Sequence, residues 1–173
     1  MIGIKKFSAV VFLAVAFHVN ASTIEIGFSP GGSALPLIIK TIKSADKEIL
    51  VAAYSFTSKP IALALVEAQK NGVSVKVVAD AKANQDQYTA VTYLKNHAVP
   101  VRLSRQYAIM HNKFIVVDGK TVQSGSFNYT SSAAKRNAEN VLVVRDVPDV
   151  AAAYRGEFSR LWSESVPDER VQN

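Results

Sequence analysis

The sequence predicts an α/β domain with a mixed, mostly parallel β-sheet and helices on both of its faces. Two observations predict this class. Short apolar runs alternate along the chain with longer segments whose apolar residues recur at helical spacing. The stretch 113–125 alternates around Asp118-Gly119 instead, which is typical of a tight β-hairpin. The chain contains no cysteine, so the domain must be held by its hydrophobic core without disulfides.

The first half of the chain predicts two strands, each followed by a helix. The stretch 23–29, TIEIGFS, reads as a strand, and 33–45 has apolar residues at helical spacing after Ser33, a residue type favoured at helix N-caps. The continuous apolar run at 47–56 is typical of a buried strand. The helix predicted at 58–72 has the clearest limits, because proline lies in its first turn and Asn-Gly at its end.

The second half repeats this alternation and then changes it. A strand at 73–80 precedes a helix at 84–98, and another strand follows at 99–104. After the hairpin, an apolar run at 140–146 predicts a last strand and 148–165 a final amphipathic helix. Helical crossovers connect parallel strands whereas a hairpin connects antiparallel ones, so we expect the sheet to be mixed.

The N-terminus has the pattern of a secretory signal peptide at residues 1–21. Lys5 and Lys6 precede an apolar run at 7–17, and a small-residue exit ends at Ala21. The run is shorter than the roughly 20 residues that span a bilayer, although an uncleaved anchor stays open as an alternative. We therefore expect a secreted protein, periplasmic in a bacterium with two membranes, and no stable membrane insertion.

Residues 22–165 are expected to form one domain, and residues 166–173 a flexible C-terminal tail. Removal of the leader takes away two lysines and no acidic residue, so the formal net charge of +6 falls to +4. This modest positive charge is compatible with a polyanionic partner without requiring one.

One stretch concentrates the candidate chemistry, HNKFIVVDGKTVQSGSFN at 111–128. Side chains two apart on a strand point to the same side, which would bring His111 beside Lys113. A lysine about 4 Å from a phosphodiester offsets its negative charge by roughly 4 kcal/mol at an effective dielectric of 20. Histidine attacks phosphorus or transfers a proton near neutral pH. A hairpin with incidental polar residues is the plainer alternative.

The residues around and after the hairpin turn add the neutral parts of an anion site. Ser126 and Asn128 are again two apart and offer a hydroxyl and an amide donor. Gly125 lets the backbone approach a ligand closely. Asp118 suits the turn itself, where its carboxylate accepts hydrogen bonds from nearby backbone N–H groups. The combination favours a phosphate-binding site over a purely structural hairpin.

The spacing His-x-Lys, four residues, Asp, six residues, Gly-Ser-x-Asn resembles the motif of the phospholipase D superfamily. A single copy after a signal peptide resembles the small secreted bacterial endonucleases of that family. The resemblance implies a phospholipase D-like fold and a phosphodiesterase that works through a phosphohistidine without metal or other cofactor. It implies that His111 is the nucleophile and that Lys113, Ser126 and Asn128 bind phosphate. Family members carry an acid downstream that holds the second histidine nitrogen, and Glu139 offers this carboxylate.

The number of histidines predicts an oligomer. A double displacement needs a nucleophile and an acid that protonates the leaving oxygen. Residues 22–173 contain two histidines, His97 and His111, and His97 lies at a predicted helix end, where capping is the usual role. We therefore expect a homodimer in which His111 of a second chain completes a composite site. Family members with two motifs in one chain make the same pairing internally.

DNA is the expected substrate, with RNA as a further candidate and little sequence preference. Lys120, Lys135 and Arg136 lie near the motif in the sequence and are candidates for contacts to a phosphate backbone. Tyr107 and Tyr129 flank the motif and are candidates for stacking on bases, although core packing is the commoner role.

Three other functions stay open. A phospholipid phosphodiesterase or phosphatidyl transferase would use the same motif with an interfacial apolar helix, for which the final helix is the candidate. A non-catalytic nucleic-acid-binding protein would use the same phosphate clamp without needing a nucleophile. A metal-dependent nuclease fits poorly, because Asp46, Asp80 and Asp86 lack ligand spacing.

Overall fold

A computed structural model describes residues 21–86 and 89–168 of the chain. The predicted signal peptide, apart from Ala21, therefore lies outside the described residues, as does the end of the predicted tail at 169–173. None of the described helices is long and apolar enough to cross a membrane.

The described residues form a sheet of eight strands in the order β1-β7-β6-β5-β2-β3-β4-β8. The strands are β1 (Thr23–Ser29), β2 (Glu48–Ala53), β3 (Ser74–Asp80), β4 (Val101–Ser104), β5 (Lys113–Val117), β6 (Thr121–Gly125), β7 (Glu139–Arg145) and β8 (Val166–Pro167). The helices are α1 (Ala34–Lys43), α2 (Lys59–Lys70), α3 (Ala90–Asn96), α4 (Ser131–Lys135) and α5 (Pro148–Glu164).

Strand pairing confirms a mixed sheet but corrects the expectation that it is mostly parallel. The parallel pairs are β2–β3 and β3–β4, which α2 and α3 connect as crossovers. The other five pairs are antiparallel. Three of these antiparallel pairs follow from the hairpin. β5 and β6 are antiparallel to each other, β7 returns beside β6 in the opposite direction, and β1 pairs antiparallel with the free side of β7.

Helices cover both faces of the sheet, as predicted, and β2 shows how the core is divided. Ile49, Val51 and Ala53 point to the face covered by α1, α2 and α3, where they join the larger hydrophobic cluster. Leu50 and Ala52 point to the opposite face and join a second cluster with Phe158 and Leu161 of α5. Burial on both faces explains why the sequence of β2 is continuously apolar rather than alternating.

The structure changes two predicted boundaries and adds one short helix. The helix predicted at 84–98 begins at Ala90, where the Thr89 side chain caps it. The short helix α4 was not predicted, and its cap is Thr130, whose hydroxyl accepts a 3.1 Å hydrogen bond from the N–H of Ala133. The domain also continues past 165, because β8 pairs with β4 inside the segment predicted as a flexible tail. A two-residue strand carries no periodicity, and its pairing depends on a distant partner.

Candidate active site

Apart from Asp118, the motif residues lie at one end of the strands, where β2 and β6 end and β5 and β7 begin. Lys113 at the start of β5 pairs with Ala53 at the end of β2. Gly125 at the end of β6 pairs with Val141 near the start of β7, and Glu139 pairs with Ser29 at the end of β1. The hairpin thus brings residues from both ends of the motif to the same place, because its two ends meet opposite its turn.

A cleft of about 550 Å³ opens at this edge. Five residues that the sequence predicted to take part in catalysis or phosphate binding line it: His111, Lys113, Ser126, Asn128 and Glu139. The remaining lining residues are Asn112, Phe114, Ser124, Gly125 and Tyr154. The predicted set is therefore one site in space.

His111 lies just before β5, which begins at Lys113, so it is outside the strand on which the same-side argument for His111 and Lys113 depended. The residue is exposed, and its imidazole packs edge-on against the ring of Tyr54 with 4.6 Å between centroids. Its backbone carbonyl accepts a 2.6 Å hydrogen bond from Nζ of Lys113. An exposed ring that is held by packing can meet a substrate without rearranging.

Lys113 is buried, with 8% of its surface exposed. Its ammonium lies 5.6 Å from the centroid of the Tyr54 ring, within the range of a cation–π contact. Burial lowers the pKa of the Lys113 ammonium, and the charge of Glu139 partly offsets that effect. A cation with few water contacts acts strongly on an anion that enters the cleft.

Glu139 does not occupy the place that the sequence predicted for it. We expected its carboxylate on the second nitrogen of His111. In the structure, one carboxylate oxygen accepts a 2.6 Å hydrogen bond from the hydroxyl of Ser126, and the other accepts a 3.0 Å bond from the side chain of Asn137. Glu139 thus orients Ser126 and adds negative charge near Lys113.

Gly125 is required by a close contact, but with protein rather than with a ligand as predicted. Its φ is +146°, and a Cβ at this position would lie 2.3 Å from the backbone oxygen of Asn140. The same Asn140 donates its backbone N–H to Oγ of Ser126 at 3.1 Å. The missing side chain at residue 125 therefore lets β7 approach closely enough to position Ser126.

Asn128 enters the cleft from a segment that is tied to the connection between β2 and α2. The carbonyl of its neighbour Tyr129 accepts hydrogen bonds from the N–H groups of Thr57 and Ser58, at 2.9 and 2.8 Å. Oδ1 of Asn128 is buried and has no hydrogen-bond partner within the described part of the chain. A polar atom left unpaired at the wall of a cleft is a feature of a binding site.

The family model described as "Cardiolipin synthase, PLD-like domain" matches residues 38–162, which include every residue of the cleft. The chain belongs to the phospholipase D superfamily. As a member, it is a phosphodiesterase whose fold and motif agree with the resemblance inferred from the sequence.

Relatives of this phospholipase D-like chain carry several names. It is 34% identical to "Phospholipase D" of Rickettsia typhi over 139 residues, which cover 80% of this chain and 68% of that protein. It is 33% identical to "Mitochondrial cardiolipin hydrolase" of Xenopus laevis over 135 residues, covering 78% and 64% of the two chains. Among solved structures, it is similar to the phospholipase D family member Nuc of Salmonella typhimurium, with a TM-score of 0.84 and 36% identity over 87% of this chain and 100% of that one.

Two buried polar residues support the phospholipase D-like site from below: Asp80, which the sequence suggested only as a poor metal ligand, and Asn84, which no sequence pattern marked. The carboxylate of Asp80, at the end of β3, accepts 2.8 Å hydrogen bonds from the backbone N–H groups of Ala83 and Met110. Asn84 donates to the backbone oxygens of Tyr54 and Asp80, at 2.6 and 2.8 Å. The sequence offered one signal for Asp80, because it is the last residue of the strand predicted at 73–80 and functional groups of α/β sheets collect at strand ends.

Asp118 lies at the opposite edge of the phospholipase D-like sheet. It occupies the hairpin turn as predicted, with φ of +53°, but its carboxylate does not bond the turn. It accepts hydrogen bonds of 2.8 to 2.9 Å from the N–H groups of Asp46, Lys47 and Glu48. The first two lie in the connection from α1 to β2, and Glu48 is the first residue of β2. Burial raises the pKa of Asp118, but the three N–H donors and Lys120 together outweigh this effect and lower it.

The three candidate cations for nucleic-acid contacts separate in the structure. Lys120 follows the hairpin turn, roughly 16 Å from the cleft along β5, and its ammonium lies 3.6 Å from the carboxylate of Asp146. Lys135 and Arg136 are exposed at the end of α4, on the segment that leads to Glu139. Lys135 and Arg136 therefore remain candidates for nucleic-acid contacts beside the cleft, whereas Lys120 lies too far from it.

Tyr129, Tyr107 and His97 have structural contacts. Tyr129 is fully buried and its hydroxyl donates to Gln123 at 2.8 Å, so it cannot stack on a base. The hydroxyl of Tyr107 bonds to side chains of α5. His97 ends α3 as predicted, with Nδ1 2.8 Å from the carbonyl of Tyr93, at the edge of the sheet opposite the cleft.

Proposed function

We propose that this protein is an endonuclease that hydrolyses DNA, with RNA as a further substrate, and that it needs no metal. The observation that carries the proposal is the cleft, in which an exposed imidazole lies beside a buried ammonium and a hydroxyl. These groups suit a phosphodiester, because the cation offsets the charge of the anion while the imidazole attacks.

The reaction follows from the positions of these side chains. A ring nitrogen of His111 attacks phosphorus, an N–P bond forms, and the P–O bond to the leaving oxygen breaks as that oxygen takes a proton. Water then attacks phosphorus, the N–P bond breaks, and His111 is restored. Lys113 and Ser126 stabilise the negative charge that builds on the phosphoryl oxygens in both steps.

The leaving oxygen needs a proton donor, and we propose that a second copy of this chain supplies it. His97 lies at the opposite edge of the sheet, so His111 is the one histidine of residues 21–86 and 89–168 that lies in the cleft. A two-fold axis beside the cleft would bring His111 of a second subunit to the same phosphate. The active species in this proposal is a homodimer.

Two observations support nucleic acid over lipid as the substrate. The residues beside the cleft include the exposed cations Lys135 and Arg136, which suit a chain of phosphates. The similarity to Nuc covers the whole of that chain. A lipid phosphodiesterase is the second candidate, because several relatives are named phospholipase D or cardiolipin hydrolase. However, the apolar residues Phe158 and Leu161 of α5 are buried on the sheet and unavailable to a membrane.

One assay tests the substrate and the need for metal together. The purified protein is incubated with plasmid DNA, RNA and phospholipid vesicles, each with and without excess chelator. We expect cleavage of nucleic acid that survives chelation and decreases steeply with added salt. Turnover of vesicles alone would replace the nuclease with the lipid enzyme, and loss of DNA cleavage on chelation would contradict the metal-free reaction.

We further propose that the protein acts outside the cytoplasm, in the periplasm of a bacterium with two membranes. The support is the sequence of residues 1–21, which has the charge, apolar core and exit of a signal peptide. Fractionation of expressing cells, with N-terminal sequencing of the product, tests this. We expect a periplasmic chain that begins at Ser22, whereas an intact leader in the cytoplasm would contradict it.

A further inference from the structure

The ring of Tyr54 lies against two of the groups that the proposed reaction uses. Its contact with the His111 imidazole has 4.6 Å between ring centroids, and the two ring planes meet at 65°. The ammonium of Lys113 lies 5.6 Å from the centroid of the same ring. Tyr54 is not among the described residues that line the cleft. Any effect of Tyr54 on the reaction therefore passes through these two side chains and not through a contact with the substrate.

The backbone of Tyr54 is itself held in place. Tyr54 follows directly after Ala53, the last residue of β2. Nδ2 of Asn84 donates a 2.6 Å hydrogen bond to the Tyr54 carbonyl, and Oδ1 of Asn84 accepts a 3.0 Å bond from the N–H of Phe56. Asn84 is fully buried, so both bonds act in a medium of low dielectric, where they are strong. A ring on a backbone fixed in this way can hold its neighbours in one arrangement.

Lys113 has few other contacts that compensate for its burial. Its ammonium donates a 2.6 Å hydrogen bond to the His111 carbonyl, and none of the ion pairs among the described residues includes it. The charge of Glu139 offsets only part of the effect of burial, which lowers the pKa of Lys113. The face of an aromatic ring attracts a cation most strongly where water is excluded. The attraction of the Tyr54 ring therefore matters more to Lys113 than it would to an exposed lysine.

We infer that Tyr54 is a positioning residue for the reaction, whose ring fixes the attacking imidazole and keeps the neighbouring ammonium charged. The inference rests on the proposed function, in which His111 attacks phosphorus and Lys113 offsets the charge of the phosphoryl oxygens. Because His111 lies before β5, the strand pairing does not orient its side chain. A ring packed against the imidazole restricts its rotation, and such alignment of a nucleophile raises the rate. The same ring attracts the ammonium but not a neutral amine, so it favours the charged form of Lys113.

Three replacements of Tyr54 separate the shape of the ring from its charge distribution. Tyr54→Phe keeps the ring and removes only the hydroxyl, which makes neither contact. Tyr54→trifluorophenylalanine keeps the ring but draws electron density away from its face, whereas Tyr54→Leu removes the ring. Tyr93→Leu is the matched control, because Tyr93 also lies against a histidine, with 4.1 Å between its ring centroid and that of His97 far from the cleft. Circular dichroism checks that each variant is folded.

Hydrolysis of bis(p-nitrophenyl) phosphate measures the reaction on a diester that is neither nucleic acid nor lipid. Tyr54→Leu should lower kcat by about 10- to 100-fold, because the imidazole loses its alignment. Tyr54→Phe should stay within about 3-fold of the parent, and Tyr54→trifluorophenylalanine should be about 3- to 10-fold slower than Tyr54→Phe, because the attraction of the ring for the cation is weakened. Tyr93→Leu should keep the parent rate.

A direct titration of Lys113 gives a readout that the shape of the ring does not change. NMR of isotope-labelled lysine side chains follows the Lys113 ammonium, which is assigned by the signal that Lys113→Met lacks. The other titratable groups of the cleft are His111, Glu139 and Tyr154, and these variants leave all three unchanged. We expect the pKa of Lys113 to be lower in Tyr54→trifluorophenylalanine than in Tyr54→Phe, because the charged form loses attraction while burial stays the same.

The outcomes separate the role of Tyr54 from the proposed function. A folded Tyr54→Leu as active as the parent would overturn the inference, as would equal rates and equal Lys113 titrations in the two phenylalanine variants. If Tyr54→Phe were as slow as Tyr54→Leu, the hydroxyl and not the ring would act, which would also overturn it. If Tyr54→Leu does not fold, the two phenylalanine variants decide, because both keep the ring. A parent that hydrolyses no phosphodiester would overturn the proposed function, and the Lys113 titration would still judge the contact with Tyr54.

Discussion

The carboxylate of Asp80 accepts a 2.8 Å hydrogen bond from the backbone N–H of Met110, the residue immediately before His111. Asp80 ends the parallel strand β3, and with 2% of its surface exposed it is itself firmly placed. The segment that carries His111 is thereby attached to the centre of the sheet. A catalytic residue outside a regular strand needs such an attachment, because small displacements of a nucleophile strongly reduce the rate.

We expect Asp80→Asn to lower kcat by about 10- to 100-fold with little change in KM, because the amide cannot accept both backbone N–H bonds. Stability should decrease by about 1–3 kcal/mol. Asp118→Asn is the matched control, since Asp118 also binds backbone N–H groups but at the far edge of the sheet. Steady-state kinetics on a phosphodiester substrate should show a loss of kcat for Asp80→Asn only. Equal losses in both variants would indicate a purely structural role.

The two described histidines should differ sharply in their effect on the reaction. His111→Ala should remove nearly all activity, because the attacking imidazole is lost. His97→Ala should keep most of the rate and lose about 1 kcal/mol of stability, since its contact with the Tyr93 carbonyl ends α3 far from the cleft. Single-turnover cleavage assays and thermal unfolding measure the two effects. A His97→Ala protein that is folded but inactive would contradict the assignment of the acid.

The stability that Asp118 contributes should depend on pH. Its folded pKa is lowered, so the stabilising contribution is present above the unfolded value near 3.9 and disappears as the pH falls through the lower folded value. We expect Asp118→Asn to cost about 1–3 kcal/mol at pH 7 and progressively less below about pH 4. Urea unfolding at several pH values measures this difference. Asp46→Asn, which changes an exposed carboxylate on the adjoining segment, should show no comparable loss.

Gly125→Ala should damage both the fold and the site. A Cβ would meet the Asn140 carbonyl at 2.3 Å with φ at +146°, so β7 must move and Ser126 with it. We expect a loss of about 2–4 kcal/mol in thermal or urea unfolding, together with a large decrease in kcat. Gly31→Ala is the control, because nothing lies within 4 Å of its Cβ position. A fully active Gly125→Ala protein would show that the approach of β7 is dispensable.

The salt dependence of DNA binding should locate the phosphate contacts. Lys135→Ala and Arg136→Ala should each reduce the slope of log K against log salt by about 1 if each side chain contacts one phosphate. Lys120→Ala should leave the slope unchanged, because Lys120 lies at the hairpin turn and is paired with Asp146. Fluorescence anisotropy with a short duplex, using the His111→Ala background to prevent cleavage, measures these slopes. If only Lys120→Ala reduced the salt slope, the nucleic acid would lie at the hairpin turn and not at the cleft.

Local patterns in the sequence determined most of the secondary structure, the position of the hairpin and the residues that line the cleft from the motif. Apolar periodicity marks strands and helices because burial acts on one face of an element at a time. The fixed spacing of His111, Lys113, Ser126 and Asn128 located the cleft before its shape was known, since a hairpin brings its two ends together. The family followed from the same spacing.

Tertiary structure alone decided which distant groups meet. Three sets of hydrogen bonds join residues that are far apart in the sequence or not marked by spacing. They connect Asp80 with Met110, Asp118 with the segment before β2, and Glu139 with Ser126. The direction of most strand pairs and the exposed face of β1 were decided in the same way. Such contacts depend on how strands are ordered in the sheet, and the energy of that order is spread over many residues that carry no local signal.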